Sequence, residues 1–398
     1  MRSNIPCISI LRRSGQPADM RRITGIVTAA LLLGMTGCAA APEPASGALP
    51  AVTGHMELSY ASQFSVDYCE GGYAVIRIGT EDTFLLVPED AAIPDGAEEM
   101  TVLQQPLTHL YVAASSAMDL FDAAGGLDAV EMTSTAPESW TLPAVQEALA
   151  SGQMSYIGKY SAPDYELLTA SGCGLAVEST MIYHSPEVRE KIETLGIPVL
   201  TERSSYESHP LGRMEWMKLY GLLLGREAEA QAAFAERTSR FETLEIPDIP
   251  EEERPTAAFF SVNSNGSVTI RKPGDYVSQM IALAGGRYCF TAEDLSVEEN
   301  ALSTMNIQME AFYDAARDAD YLIYNSTIEG DLDDLDALLS KSSIFADFRA
   351  VKEDHVWCTG QNLFQQTTGA AEMIADLNCI FNGQAEDADA LTFLHRLR

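Results

Sequence analysis

The sequence predicts an α/β protein: two parallel-sheet α/β lobes joined by one long helix, with a small N-terminal antiparallel β meander. Three observations carry this. Short apolar runs alternate with helical stretches on both sides of the chain's middle, the pattern of βαβ units. The middle is one long amphipathic run, HPLGRMEWMKLYGLLLGREAEAQAAFAERTSRFETL, and three β-rich runs joined by Glu-Gly-Gly and Gly-Thr-Glu-Asp turns precede the first lobe.

Composition narrows the function before any motif is considered. The 398 residues hold 25 Lys and Arg against 58 Asp and Glu, a formal net charge of −33. Such an excess of carboxylates repels phosphate backbones and anionic headgroups, so nucleic acid is excluded as a partner. A hydrophobic share of 46% supplies enough apolar surface for folded cores and argues against disorder.

At the N-terminus, Met20-Arg21-Arg22 precedes the apolar stretch ITGIVTAALLLGM and then Thr36-Gly37-Cys38. This reads as an export signal over 1–37, its apolar stretch too short for a membrane span of ~20 residues. Small residues before a cysteine resemble the lipobox of bacterial lipoproteins. That resemblance implies lipidation of Cys38 and a membrane-anchored tether over 38–60, with the protein outside the cytoplasm. Lipid rather than charge would then hold so acidic a body at the membrane. The exported cysteines Cys69, Cys173, Cys289, Cys358 and Cys379 show no C-x-x-C spacing, so neither a disulfide framework nor a zinc finger is predicted.

The meander occupies 61–104, its strands lying in FSVDYCEGGYAVIRIGTEDTFLLVP. In the N-terminal lobe, 105–210, the expected strands are HLYVAA, LDAVEMT, MSYIG, GLAVEST and IPVLTE, separated by helices at 118–124, 141–151, 163–171 and 185–195. The connection, 211–245, begins after Pro210, which suits the first turn of a helix. Continuous from Leu211 to Leu244, it would be ~50 Å long at 1.5 Å per residue. A kink at Gly221 or Gly225 is the alternative, each costing ~1 kcal/mol against Ala. In the C-terminal lobe, 246–398, TAAFFSV, SVTI, DADYLIYNST and HVWC alternate with helices at 275–284, 331–340 and 368–381.

Export signal, acidic body, two lobes and long connection together resemble a class III substrate-binding protein of a bacterial ABC importer. The most specific stretches are GKYSAPDYELLTASGCGLAVESTMIYHSPEVREKIETLGIPVLTERSSYESHPLGRMEWMKLYGLLLG and RDADYLIYNST. The resemblance implies a carrier of an iron-siderophore, haem or cobalamin-like ligand, working as a monomer with permease and ATPase subunits. It also implies that one exposed glutamate per lobe docks on the permease, here Glu166 and Glu310. No resident cofactor is expected.

In open α/β sheets, ligands bind beyond the carboxyl ends of the strands. The expected cleft residues are therefore the polar and aromatic groups that follow strands. From the first lobe these are Ser115, Ser116, Met118, Lys159, Tyr160, Glu178, Ser179, Thr180, Arg203, Ser204 and Tyr206; from the second, Asn263, Asn265, Arg271, Tyr324, Asn325, Gln361 and Phe364. Lys159, Arg203 and Arg271 stand out in so acidic a chain as partners for an anionic ligand.

Two other functions compete. Direct zinc or manganese binding would need clustered ligands, and the six histidines are scattered; only His184 and His209, near Glu178, follow first-lobe strands. A surface adhesin would use the meander as its platform. An enzyme is not expected, since no G-x-S-x-G, H-E-x-x-H, P-loop or G-x-G-x-x-G motif occurs.

Overall fold

The computed structural model describes residues 49–80, 82–385 and 391–398. The export signal and Cys38 lie outside the described residues, as does the tether up to residue 48.

The meander is the first of three sheets. Its strands β1 (Val52–His55), β2 (Phe64–Cys69), β3 (Ala74–Ile78) and β4 (Asp82–Val87) pair antiparallel in order, and β5 (Thr101–Gln104) adds parallel to β4. The tight turn between β2 and β3 uses Gly71 and Gly72 at φ +76° and +83°, a region that suits glycine. Period-two alternation gives the sheet two apolar faces. Phe64, Val66, Ile76, Phe84 and Leu86 join the main core, whereas Val75, Leu85 and Val87 pack under the loop carrying Ala97.

The second sheet holds β6 (Leu110–Val112), β7 (Val130–Thr133), β8 (Ser155–Tyr156), β9 (Ala176–Ser179) and β10 (Val199–Glu202) in the order β10-β9-β6-β7-β8, all parallel. Helices α1 (Ser115–Ala123), α2 (Pro143–Ser151), α3 (Tyr165–Ala170) and α4 (Pro186–Thr194) lie between its strands in sequence.

The long connection is not one helix. It is α5 (Pro210–Glu215) and α6 (Met217–Leu223), which run on through Trp216 in helical geometry, then a break, then α7 (Glu227–Glu242). Gly225 at φ +67° ends α6, with Gly225 N–H donating to Leu222 O and Arg226 N–H to Gly221 O. This pairing is a Schellman stop. Gly221 then lets the two helices touch, since a Cβ there would lie 2.5 Å from the Ala230 methyl. A continuous spine is thus overturned in favour of a break at the glycines.

The third sheet is mixed rather than parallel. Its strands are β11 (Thr256–Val262), β12 (Val268–Arg271), β13 (Arg287–Tyr288), β14 (Thr304–Ile307), β15 (Tyr321–Tyr324), β16 (Val356–Thr359) and β17 (Leu394–Arg396). The path is β14-β12-β11-β15-β16-β17, with β13 beside the start of β11. β11, β13, β15 and β16 run parallel, whereas β12, β14 and β17 are antiparallel to their neighbours. The associated helices are α8 (Tyr276–Leu283), α9 (Ala292–Leu295), α10 (Met309–Ala316), α11 (Ser326–Glu329), α12 (Leu335–Lys341), α13 (Arg349–Lys352) and α14 (Ala370–Phe381).

One apolar core runs through the meander, the first lobe, α5–α7 and the helices α8 and α14 of the second lobe. Polar contacts reinforce it. Gln365 Oε1 accepts from Thr141 N–H and Oγ1 at 2.8 and 2.7 Å, Thr367 Oγ1 donates to Ser116 O, and Asp119 accepts from Thr368 N–H at 2.7 Å. The lobes are joined by shared packing more than by a rod.

Candidate functional site

The cleft between the lobes is built where strands end and helices begin. A cavity of about 430 Å³ is lined from the first lobe by Ser115, Ser116, Thr180, Met181, His184, Ser205 and Tyr206, and from α5 by Arg213. Across it stand Arg271, Asp275, Tyr276, Leu302, Ser303 and Phe364.

Each wall has a local cause. Ser115 and Ser116 open α1 directly beyond β6, and Thr180 begins a tight turn that Ser179 caps by accepting from Met181 N–H. On the far wall, Asp275 is the N-cap of α8, accepting from Val277 N–H at 3.0 Å, and its carboxylate also takes Ser303 N–H at 3.2 Å. That cap holds the end of α8 and the 303 loop together and fixes the ring of Tyr276.

Two guanidinium groups share that ring. Arg213 Cζ lies 3.8 Å from the Tyr276 centroid and Arg271 Cζ lies 5.4 Å from it, with Phe364 4.9 Å from Arg271. Both arginines are buried, at 5% and 8% exposure. Cation–π contact and burial of the aliphatic stem make a guanidinium tolerable there. Arg271 also meets Asp275 at 3.5 Å. Burial pushes its pKa down, but Tyr276 and Asp275 outweigh this and the net shift is upward, so it stays charged.

Arg213 has fewer partners. Its Nε is buried without a hydrogen-bond partner, and among the described residues the side chain forms no ion pair within 4 Å. Behind Ser116 lies Glu202, which accepts from Ser116 Oγ and Ser204 N–H at 3.2 and 2.7 Å. Burial raises the Glu202 pKa, opposed by Ser204, Arg213 and Ser116. The cleft therefore presents two buried cations, three aromatic faces and several hydroxyls, and is suited to an anionic, partly flat ligand.

Of the residues expected from the sequence, Ser115, Ser116, Thr180, Tyr206, Arg271 and Phe364 come together in this cleft. The others are placed elsewhere, for identifiable reasons. Met118 and Tyr324 are core residues, and Ser204 is buried with its Oγ unpaired. Glu178, on β9, is fully buried with both carboxylate oxygens unpartnered, and burial raises its pKa to about 8. Asn263 and Asn265 bond within the β11–β12 hairpin, to Ser267 and Thr269, and Asn325 caps α11. Gln361 is exposed in the turn before Phe364.

The expected cations also move. Lys159 is exposed and Tyr160 half-buried beyond β8, the far edge of the first sheet. Arg203 turns toward the meander, donating to Gln63 Oε1 and Tyr183 Oη at 3.4 and 3.3 Å, with its guanidinium 4.9 Å from the Tyr206 ring centroid. Only Arg271 of the three lines the cleft, and Arg213 takes the place expected of Arg203. The signal for Arg213 was a lone charge between Leu211 and Met214 on an apolar helix; that of Asp275 was a cap before an apolar run. His184 lines the cleft, but His209 stacks on Tyr60 at 4.5 Å and accepts from Leu211 N–H. No two-histidine site with Glu178 forms among the described residues.

Two α/β lobes, a helical connection and an inter-lobe cleft define the two-lobed fold of periplasmic binding proteins. Residues 175–363 match the model of the periplasmic binding protein family, and the fold is similar to that of solved periplasmic binding proteins. Among curated relatives, an uncharacterized lipoprotein of Methanocaldococcus jannaschii is 24% identical over 332 residues, covering 79% of this chain and 75% of its own. A second lipoprotein from that organism is 26% identical over 313 residues, covering 74% of each chain. Similar solved structures include the periplasmic haem-binding protein HutB of Vibrio cholerae, with TM-score 0.53, 15% identity and coverage of 68% of this chain and 98% of that one. A periplasmic haem-binding protein of Pseudomonas aeruginosa gives TM-score 0.55 at 16% identity, covering 73% and 98%. A further similar structure, from Listeria monocytogenes, is an ABC transporter substrate-binding protein, with TM-score 0.52 at 15% identity, covering 69% of this chain and 98% of that one.

Proposed function

We propose that this protein is an extracytoplasmic solute-binding lipoprotein that captures an anionic iron complex, a siderophore or haem, in the inter-lobe cleft and delivers it to an ABC permease. A cobalamin-like ligand is the neutral variant of the same reading. The observation that carries it is the pair of buried guanidinium groups, Arg213 and Arg271, both within 5.4 Å of the Tyr276 ring centroid in an open cavity. Buried charges are normally paired, and a ligand carboxylate, catecholate or propionate would complete Arg213 with charge-assisted hydrogen bonds. The solved neighbours that bind haem support the ligand class.

Membrane attachment would run through Cys38, and delivery through Glu166 and Glu310, with the protein acting as a monomer. Both glutamates are exposed and occupy the second position of a helix, in α3 before β9 and in α10 before β15. This shared position, second in a helix that precedes a parallel strand, supports the reading. The shared core and the contacts of Gln365, Thr367 and Thr368 favour small opening motions, which scattering with and without ligand would detect as a nearly constant radius of gyration.

The test is a melting-temperature screen with haem, a ferric tris-catecholate siderophore and cyanocobalamin. A ligand that binds only the folded state stabilises by ~2.7 kcal/mol at a hundredfold excess over Kd. A flat response to all three would remove the proposal.

A further inference from the structure

We infer that the C-terminal lobe carries a second, independent site: a binding site for a zinc-like divalent metal ion formed by Asp331, Cys358 and His395. The pairing of β16 and β17 puts Cys358 directly opposite His395, and cross-strand partners share one face of the sheet. The loop between α11 and α12 brings Asp331 over both. Cys358 Sγ lies 3.3 Å from Asp331 Oδ1, and His395 Nε2 lies 3.5 Å from that oxygen. All three ligand atoms fall within 4.8 Å of one another. Donors held 2.0–2.3 Å from a tetrahedral metal stand roughly 3.3–3.7 Å apart, so little movement is needed to close on an ion.

The donor types select the class of ion. One thiolate, one imidazole and one carboxylate form a mixed set suited to Zn²⁺ rather than to Ca²⁺ or Mg²⁺, which take oxygen ligands. Cys358 is fully buried, whereas the side chains of Asp331 and His395 are 45% and 40% exposed. The ion would sit at the sheet surface with three protein ligands and its fourth position open to water, a coordination zinc accepts. None of the three residues lines the cleft. On binding, His395 Nε2 would exchange its present contact with the Leu332 carbonyl, at 3.2 Å, for the ion, which would join the edge strand β17 to the 330–334 loop.

Cobalt is a spectroscopic substitute for zinc at such sites. The full chain, stripped with a chelator, is titrated with Co²⁺ and then with Zn²⁺. One equivalent of Co²⁺ should give a thiolate-to-metal charge-transfer band, which Zn²⁺ then abolishes. Cys358→Ser removes the band, Cys69→Ser and Cys379→Ser retain it, and His395→Ala weakens affinity by more than the ~10–100-fold cost of losing an outer-shell partner. Absence of the band from the parent protein, or its survival in Cys358→Ser, overturns the site. If Cys358→Ser does not fold, the half-exposed positions decide: unchanged cobalt affinity in both His395→Ala and Asp331→Asn overturns it equally.

Discussion

The first lobe meets its neighbours at two seams that treat buried charge in opposite ways. Toward the meander, two buried carboxylates are saturated. Glu215 accepts from the N–H groups of Ser59, Tyr60 and Ala61 at 2.8–3.1 Å and from Lys218 Nζ at 2.7 Å. Glu207 takes Ser62 N–H and Oγ, Gln63 N–H and Trp216 Nε1 at 2.8–2.9 Å. Toward the cleft, Arg213 Nε is buried without an acceptor, Arg271 has Asp275 at 3.5 Å, and both guanidinium groups face a cavity. The saturated seam is scaffold; the undersupplied seam is the candidate site. Glu178 shows why the cavity matters: it too lacks partners, yet it is sealed in and does not line the cleft.

The largest effect should come from breaking the saturated seam. Glu215→Ala leaves three backbone N–H groups and Lys218 without their acceptor, and removal of one partner from a buried ion pair costs about 3–5 kcal/mol. Chemical denaturation should show a loss of that size, and ligand affinity of the remaining folded protein should be unchanged. Loss of binding with intact stability would mean the seams have been assigned the wrong way round.

Next in size is the sealed carboxyl. The folded-state pKa of Glu178 is raised to about 8 by burial, against about 4.3–4.5 unfolded. Its contribution to stability is thus complete below pH ~4.5 and lost as pH rises through about 8. Glu178→Gln should therefore melt close to the parent at pH 5 and several degrees higher at pH 9, the gain being on the order of a few kcal/mol. Equal melting shifts at both pH values would show that Glu178 is ionised and partnered.

Smaller still is the cleft itself. Arg213→Met retains apolar packing on Tyr276 but removes the charge, and a hydrogen bond to a charged group contributes about 1.5–3 kcal/mol. Affinity for an anionic ligand should fall roughly 10–100-fold by calorimetry with little change in melting temperature. The smallest effect is expected from Arg203→Ala, since Arg203 lies outside the cleft lining; less than about 1 kcal/mol in binding would separate it from Arg213.

Much of the fold was legible in the sequence because its signals are local. Alternating apolar runs marked the strands of the first lobe and of the meander, and Pro210 marked the start of α5. The long connection was misjudged where a Schellman stop at Gly225 prevailed over helical periodicity in the residues around it. Short strands such as β13, β14 and β17 were not distinguished, because two to four residues carry no periodicity and their pairing is decided by tertiary packing. The site was less legible for a related reason. Strand-end position found Ser115, Ser116, Thr180, Arg271 and Phe364, but the direction of a side chain separates Arg213 from Arg203, and Tyr206 from Tyr160, and that direction is set by contacts far apart in the chain.

Anion capture by the two buried arginines is tested by calorimetric titration of haem and a ferric tris-catecholate into the parent protein and into Arg213→Met/Arg271→Met. One saturable site is expected in the parent for at least one of them, weakened at least 100-fold in the double variant while the melting temperature in the absence of ligand stays within a few degrees. Equal affinity in parent and double variant, or no binding of either ligand to the parent, would contradict it.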